Sequence, residues 1–376
     1  MTTKLKNIVV SVLFAAVLTG MSLFAWLKPA DEYSVVERRP LDQFPTLKGE
    51  TILNATFMNS FEDYALDQFP LRDAFRAIKA FTALNIMGQM DVNDLYFKDG
   101  VISKVEYPLK EDQVQHATDT FNTIYNKYIK DKGGKIYTTV VPDKNYFLAD
   151  KYGYPSIDYD KMVELWKQQM SFGEYIDIFG KLDISDYYIT DTHWKQENIQ
   201  DVAQHLAQKM GVELDAKYTE NSLGKIFKGV YGYQFALSFE KDELKYMTSD
   251  YQKDLKVYSY STGAAVEIPI YVLENAKGDD PYNMFLSGAK VPLIVIENPN
   301  AKTDRELVIF RDSFGSSLSP YFAEGYSKVT VVDPRTFGGA VFKMFVDNGT
   351  INFDGADVLF MFSSTLLNNS FEVQIF

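Results

Sequence analysis

Glu306–Val332 reads ELVIFRDSFGSSLSPYFAEGYSKVTVV, and this stretch decides the fold. Two runs rich in β-branched and aromatic residues, Glu306–Phe310 and Lys328–Val332, bracket the helical spacing of Ser316–Glu324. Strands alternating with helices imply parallel βαβ units. Working outward, the same alternation predicts strands at Pro292–Glu297 and Ala356–Phe362 and a helix at Phe337–Val346. Upstream, Lys135–Val141 reads as a buried strand ending at Pro142. Helical patterns run over 54–87 (broken by Pro70), Gln113–Lys130, Tyr159–Phe172 and Lys195–Met210, the last closing at Gly211. Residues 212–290 are rich in Tyr, Gly and Lys and lack long helical periodicity, so they read as a β-rich insertion. The fold class expected is α/β: a three-layer sandwich around a mostly parallel sheet. Functional groups in such a sheet gather at the carboxyl ends of the strands.

The N-terminus carries a different signal. Ile8–Leu27 is twenty residues without a charge. As a helix it is roughly 30 Å long, the thickness of a bilayer's hydrocarbon core. Lys4 and Lys6 precede it, and the positive-inside rule then puts the remainder of the chain outside the cytoplasm. The run is longer than a signal-peptide core and ends without a clean small-x-small site, so we read it as an uncleaved signal anchor rather than a cleaved leader. The expected organisation is an anchor over 1–28, a Pro-containing juxtamembrane linker over 29–53, and one domain over 54–376 that includes the insertion. The expected location is a single-pass cell membrane protein with an extracytoplasmic domain, in keeping with a Gram-positive surface.

Composition narrows the chemistry. The 376 residues carry a net charge of −13; beyond residue 28 the balance is 35 basic against 51 acidic residues, or −16. Such a field repels nucleic acid. The chain has no cysteine, which excludes cysteine nucleophiles, disulfides and thiolate zinc sites. No phosphate-binding glycine loop and no histidine cluster occurs, so neither a cofactor nor a metal is expected.

Two loops at strand carboxyl ends hold groups that do chemistry. Strand ELVIF runs into Arg311-Asp312-Ser313-Phe314-Gly315, a small-residue turn into a helix. A serine there is exposed above the sheet beside helix N-terminal amides, which favour negative charge; alternatively, Ser313 or Asp312 merely caps the helix. The second loop contains Asp191-Thr192-His193-Trp194 ahead of a helix. A serine hydroxyl needs a base, and a carboxylate beside that base fixes its tautomer. Asp191 is otherwise a helix cap and His193 a loop residue. His116 and His205, the other two histidines, fall inside amphipathic helices among polar residues, which leaves His193 as the base. On the same rim, Lys144 follows Val141-Pro142-Asp143, either as an anion-binding group or as a solvated loop lysine. Arg335 follows the strand Lys328–Val332. The last strand leads to Asn368-Asn369, where an amide completes an oxyanion hole or closes a turn.

These motifs occur in an order that resembles the DHHW family and, more widely, the alginate O-acetyltransferase group of SGNH-hydrolase-like proteins. The matching segments are Glu37-Arg38-Arg39-Pro40-Leu41-Asp42-Gln43-Phe44-Pro45, Asp67-Gln68-Phe69-Pro70-Leu71-Arg72, Val141–Lys144, Asp191–Trp194 and Asp312-Ser313-Phe314. The resemblance implies an SGNH-like, circularly permuted fold, because the serine block follows the Asp/His block. It implies a triad of Ser313, His193 and Asp191, with an oxyanion asparagine at Asn369 or Asn368. Lys144, Arg335, Arg311 and Trp194 join Asn369 as candidate oxyanion or substrate-binding residues. Two positions depart from the family pattern. Thr192 replaces a histidine, and Arg311 replaces a glycine before the Asp-Ser pair, which raises the question of the oxyanion loop's backbone geometry. The activity implied is O-acetyl transfer to a cell-surface polysaccharide through an acyl-serine, with a membrane-bound O-acyltransferase partner as donor. The alternatives are an esterase with the same triad and a non-catalytic glycan-binding or scaffold protein.

Overall fold

The structure, a computed structural model, describes every residue except 1, 35, 38, 50, 52, 53, 238, 289, 290, 337 and 374–376. Arg38 of the first motif and Phe337, where a helix was expected to start, lie outside the described residues. The chain divides into two compact units: Met1–Asn93 with Tyr233–Ser238, and Asp94–Gly232 with Phe239–Phe376.

The first unit opens with helix α1 (Thr3–Leu27), capped by the Thr2 hydroxyl, which accepts from the Leu5 N–H at 3.4 Å. None of its residues is buried, and it is long and apolar enough to cross a membrane. Strands β1 (Tyr33–Ser34) and β2 (Arg39–Pro40) pair antiparallel. Helices α2 (Thr56–Asp67) and α3 (Arg72–Phe81) follow, parted at Pro70 as the sequence predicts. The Asp67 carboxylate accepts from Arg39 Nη1 at 2.7 Å and from the Asp42 N–H at 2.8 Å, tying the segment after α1 to the end of α2.

The second unit holds the sheet. Its elements are the hairpin β3 (Leu95–Lys98) and β4 (Val101–Lys104), α4 (Glu111–Ile124), β5 (Ile136–Val141), α5 (Lys144–Tyr152), α6 (Tyr159–Gln169), β6 (Glu174–Tyr175) and α7 (Gln200–Lys209). Then come β7 (Thr219–Phe227), α8 (Val230–Phe235, whose last three residues belong to the first unit), β8 (Asp242–Thr248), β9 (Lys256–Ser259), β10 (Val266–Ile268), β11 (Leu293–Glu297) and β12 (Thr303–Arg311). The last are α9 (Phe314–Phe322), β13 (Tyr326–Val332), α10 (Gly339–Asp347), β14 (Asp357–Ser363) and α11 (Ser364–Leu367).

Eight strands form one sheet in the order β10-β9-β11-β13-β12-β14-β5-β6. The five from β13 to β6 are parallel, and β11, β9 and β10 are added antiparallel. The fold is thus the expected α/β sandwich with a mostly parallel sheet. Side chains alternate across it. Ile309, Leu359 and Val331 face a core shared with α7 and α9, while Phe310, Phe360 and Val332 face a core shared with α4, α6 and α10. Two refinements concern topology. The strand predicted at Pro292–Glu297 is not part of a βαβ unit, because β11 runs against β13. The stretch 212–290 is only partly a separate element: β7 and β8 form their own hairpin, whereas β9 and β10 extend the main sheet by covering the otherwise open edge of β11.

Candidate active site

The parallel strands β12, β14 and β5 end on one rim. β12 runs through Asp312 into Ser313, the N-cap of α9. Ser313 makes no side-chain capping bond; that work falls to Asp312, whose Oδ1 accepts from the Phe314 N–H at 3.0 Å. Asp312 Oδ2 accepts from the Ser363 N–H at 2.8 Å and so pins this turn to the end of β14. The Ser313 hydroxyl is thereby free to point elsewhere, and it lies 2.7 Å from His193 Nε2. His193 Nδ1 lies 2.6 Å from Asp191 Oδ1, which also accepts from the His193 N–H at 3.1 Å. Three residues from two loops 120 positions apart form one hydrogen-bonded chain. Asp191 is fully buried and His193 nearly so.

The loop carrying Asp191 and His193 is held from beneath. The Lys144 ammonium donates to the carbonyls of Tyr188, of Ile102 at 2.9 Å and of Ile189 at 3.4 Å. Burial pushes its pKa down to about 7, against the opposing pull of Asp242 and Asp191. Asp242, at the start of β8, accepts from the N–H groups of Ile189 (2.7 Å) and Thr190 (2.8 Å) and from the Thr190 hydroxyl. Asp191 Oδ2 accepts from the Val230 N–H at 3.1 Å. Gly229 stands directly against Asp191, since a Cβ there falls 2.3 Å from Asp191 Cβ. The ring of Tyr282 stacks on His193 at 3.9 Å and 7° and bonds Ser317 Oγ at 2.8 Å. Tyr282, Asp242 and Gly229 all come from the stretch 212–290. Composition marked that stretch as distinct but said nothing of its long-range contacts.

The other candidates sit as follows. Lys144 was expected at the rim, either as an anion-binding group or as a solvated loop lysine; it opens α5 behind the Asp143 cap, is 2% exposed, and turns its ammonium on backbone carbonyls. Trp194 is buried, its Nε1 donating to Phe314 O at 3.1 Å and Ser317 Oγ at 3.0 Å, so it fastens the histidine loop to α9. Arg311 is fully buried and reaches away to Asp333 (2.9 Å) and Gly288 O (3.3 Å). Ser313 keeps ordinary helical angles, φ −61° and ψ −24°, so the arginine leaves the loop backbone undistorted. The close approach of Arg311 instead requires glycine at 315, where a Cβ falls 2.6 Å from Arg311 Cβ. Arg335 meets the same Asp333 through Nε at 2.9 Å and Nη2 at 2.7 Å. Asn369 is exposed and bonded to Lys110 Nζ at 2.7 Å, and Asn368 bonds the Lys110 N–H at 2.8 Å; neither is brought to the triad. His116 and His205 lie elsewhere, on Ser370 and the Asp177 carbonyl. No group of residues fit to hold a metal occurs among the described residues.

No family model and no curated protein matches the sequence. Solved structures do match the fold. A DHHW family protein from Eubacterium siraeum aligns with a TM-score of 0.58 at 20% identity, over 74% of this chain and 93% of its own. PatB1 of Bacillus cereus, solved with a sulfonyl adduct, aligns with a TM-score of 0.59 at 20% identity, over 73% of this chain and 97% of its own. The resemblance read from the motifs therefore extends to the fold. The O-acetyltransferase domain of Pseudomonas putida AlgJ aligns with a TM-score of 0.40 at 11% identity.

Proposed function

We propose that this protein is a membrane-anchored, extracytoplasmic enzyme that transfers acetyl groups to a cell-surface polysaccharide through an acetyl-Ser313 intermediate. The observation that carries this reading is the continuous chain Asp191–His193–Ser313, with gaps of 2.6 and 2.7 Å. Asp191 holds the imidazole with its proton on Nδ1, so Nε2 faces Ser313 as a base. Ser313 Oγ attacks the acyl carbonyl carbon while its proton passes to His193 Nε2. The donor's leaving oxygen departs with that proton. An acceptor hydroxyl then gives its proton to Nε2 and its oxygen attacks the acetyl carbon. Ser313 Oγ leaves and recovers the proton.

The developing oxyanion needs donors. The amides of Phe314, Gly315 and Ser316 are already bonded, to Asp312 Oδ1, Asp312 O and Ser313 O. Among the described residues this leaves the Ser313 N–H as the loop's own donor. The sulfonyl adduct on PatB1 supports the reading, since sulfonyl electrophiles attach to activated hydroxyls. Helix α1, long and apolar enough to cross a membrane, supports the anchoring part of this reading; a membrane-bound O-acyltransferase partner would deliver the acetyl group.

The test uses full-length protein in detergent with 4-nitrophenyl acetate and neutral or acidic oligosaccharides. Acetylated oligosaccharide, absent with Ser313→Ala, is the expected product. Free acetate alone, with acceptor present, would make the protein an esterase. No turnover of any acetyl ester above the Ser313→Ala variant would remove the catalytic reading.

A further inference from the structure

The first unit exposes far more apolar surface than a water-facing surface carries. Helix α3 and the π-helical turn Thr82–Ile86 after it are amphipathic but turned the wrong way round. Leu71, Ile78 and Ile86, on one face, are 67%, 60% and 70% exposed, whereas Ala80 and Ala83, on the opposite face, are 0% and 6%. The small residues face inward, onto Val92. The large ones face out. Soluble helices do the reverse, burying their large apolar stripe. An exposed patch of this kind marks a surface with an occupant.

The neighbouring element says which occupant. A cavity of about 370 Å³ is lined on one side by Val17, Met21 and Ala25 of α1 and on the other by Phe61, Phe69 and Phe75 of α2, α3 and their connection. Val17 lies ten residues before the end of α1, which is roughly 15 Å along a helix. The aromatic edge of α2–α3 thus stands alongside the second half of α1, the half that in a spanning helix is surrounded by acyl chains.

We propose that α2, α3 and the turn to Ile86 form a collar half-immersed in the outer leaflet, with Leu71, Ile78 and Ile86 on lipid acyl chains. This rests on the reading that α1 spans the membrane. Interfacial helices of this type carry a wide apolar face with polar and charged residues on the other; here Arg72 and Arg76 lie away from it, paired with Glu37, Asp67 and Asp73, and Lys79 is the cation of the last turn. The collar is a second membrane contact for the first unit, and it fixes the tilt of that unit on the bilayer rather than leaving it to swing on one helix.

The absence of cysteine makes the test direct. Single-cysteine variants Leu71→Cys, Ile78→Cys, Val17→Cys and Lys256→Cys are labelled with an environment-sensitive fluorophore. The full chain is then reconstituted in phosphatidylcholine–phosphatidylglycerol vesicles. Quenching is measured with nitroxide-labelled lipid and with aqueous iodide. Labels at 71 and 78 are expected to be quenched by lipid nitroxide several-fold more than the label at 256, and shielded from iodide. If 71 and 78 follow 256 while 17 is quenched by lipid, the collar is overturned and the anchor stands. Shielding of 71 and 78 from both quenchers would assign the surface to a second copy of the chain and overturn the collar. Iodide quenching at 17 would remove the anchor, and the collar with it.

Discussion

At the residue scale, the site depends on groups that keep His193 in place. Tyr282 lies flat on the imidazole and is itself held by Ser317. Stacked aromatic pairs contribute about 0.5–1.5 kcal/mol beyond area burial. Tyr282→Ala is therefore expected to lower kcat/KM several-fold in an acetyl-ester assay, and Tyr282→Phe, which keeps the ring, to retain most of it. Lys144 acts through the backbone. Lys144→Met removes the donor that the Ile102 and Tyr188 carbonyls share, at a cost of about 1–3 kcal/mol for a group left unpaired, while the Ile189 carbonyl keeps the Ile102 N–H at 2.8 Å. Its pH signature is specific. The folded-state pKa, about 7, lies below the ordinary lysine value of 10.5, so the folded protein binds fewer protons in between. Stability is then lost as pH falls from above 10.5 through 7. Chemical denaturation across that range is expected to show wild type losing stability on acidification relative to Lys144→Met. Equal slopes would mean the lysine stays charged when folded.

At the element scale, the strand–helix turns carry the argument. Ser313 was legible because a β-branched run followed by small residues marks a strand-to-helix turn at a carboxyl end. The pairing with Asp191 and His193 was legible because the other two histidines fall inside amphipathic helices, although the His193 loop follows a 3-10 turn, Ile184–Asp186, rather than the strand end expected. Lys144 was misplaced by its element: Asp143 caps α5 through the Asn145 N–H at 2.7 Å, so the lysine starts a helix and points inward. The Pro-Asp pair carried that signal, since aspartate is a favoured N-cap. Asn369 failed for the opposite reason. Distance along the chain after β14 does not reveal that the next turns face Lys110. Gly229, Asp242 and Tyr282 were not legible at all, because their partners lie 35 to 89 positions away along the chain. The backbone turn at Gly229 gives a further test. Gly229→Ala drives a Cβ into Asp191 and is expected to destabilise by about 1–3 kcal/mol and to lower kcat with little change in KM. Thermal unfolding and steady-state kinetics measure both.

At the scale of the whole molecule, the charge pattern and α1 speak to location. The apolar run was legible from length alone, and α1 buries none of its residues against the protein. Protease added outside intact cells is expected to remove everything beyond α1, and to do so only after cell lysis if the orientation is reversed. Four of the five parallel strands, β13, β12, β14 and β5, were also legible, because their runs are largely apolar and β-branched and alternate with helices; the two-residue edge strand β6 was not. The antiparallel edge was not, since β9 and β10 are short and carry no marker of the sheet they join. What the fold achieves is to bring loops 120 residues apart together, with Ser313 Oγ 2.7 Å from His193 Nε2.

That hydroxyl is the central claim, and covalent labelling reads it most directly. Full-length protein is treated with a fluorophosphonate, and the modified residue is mapped by mass spectrometry beside His193→Ala. The account expects label on Ser313 in the wild type and its loss in the variant. A folded wild type without label at Ser313, or equal labelling in both proteins, would contradict it.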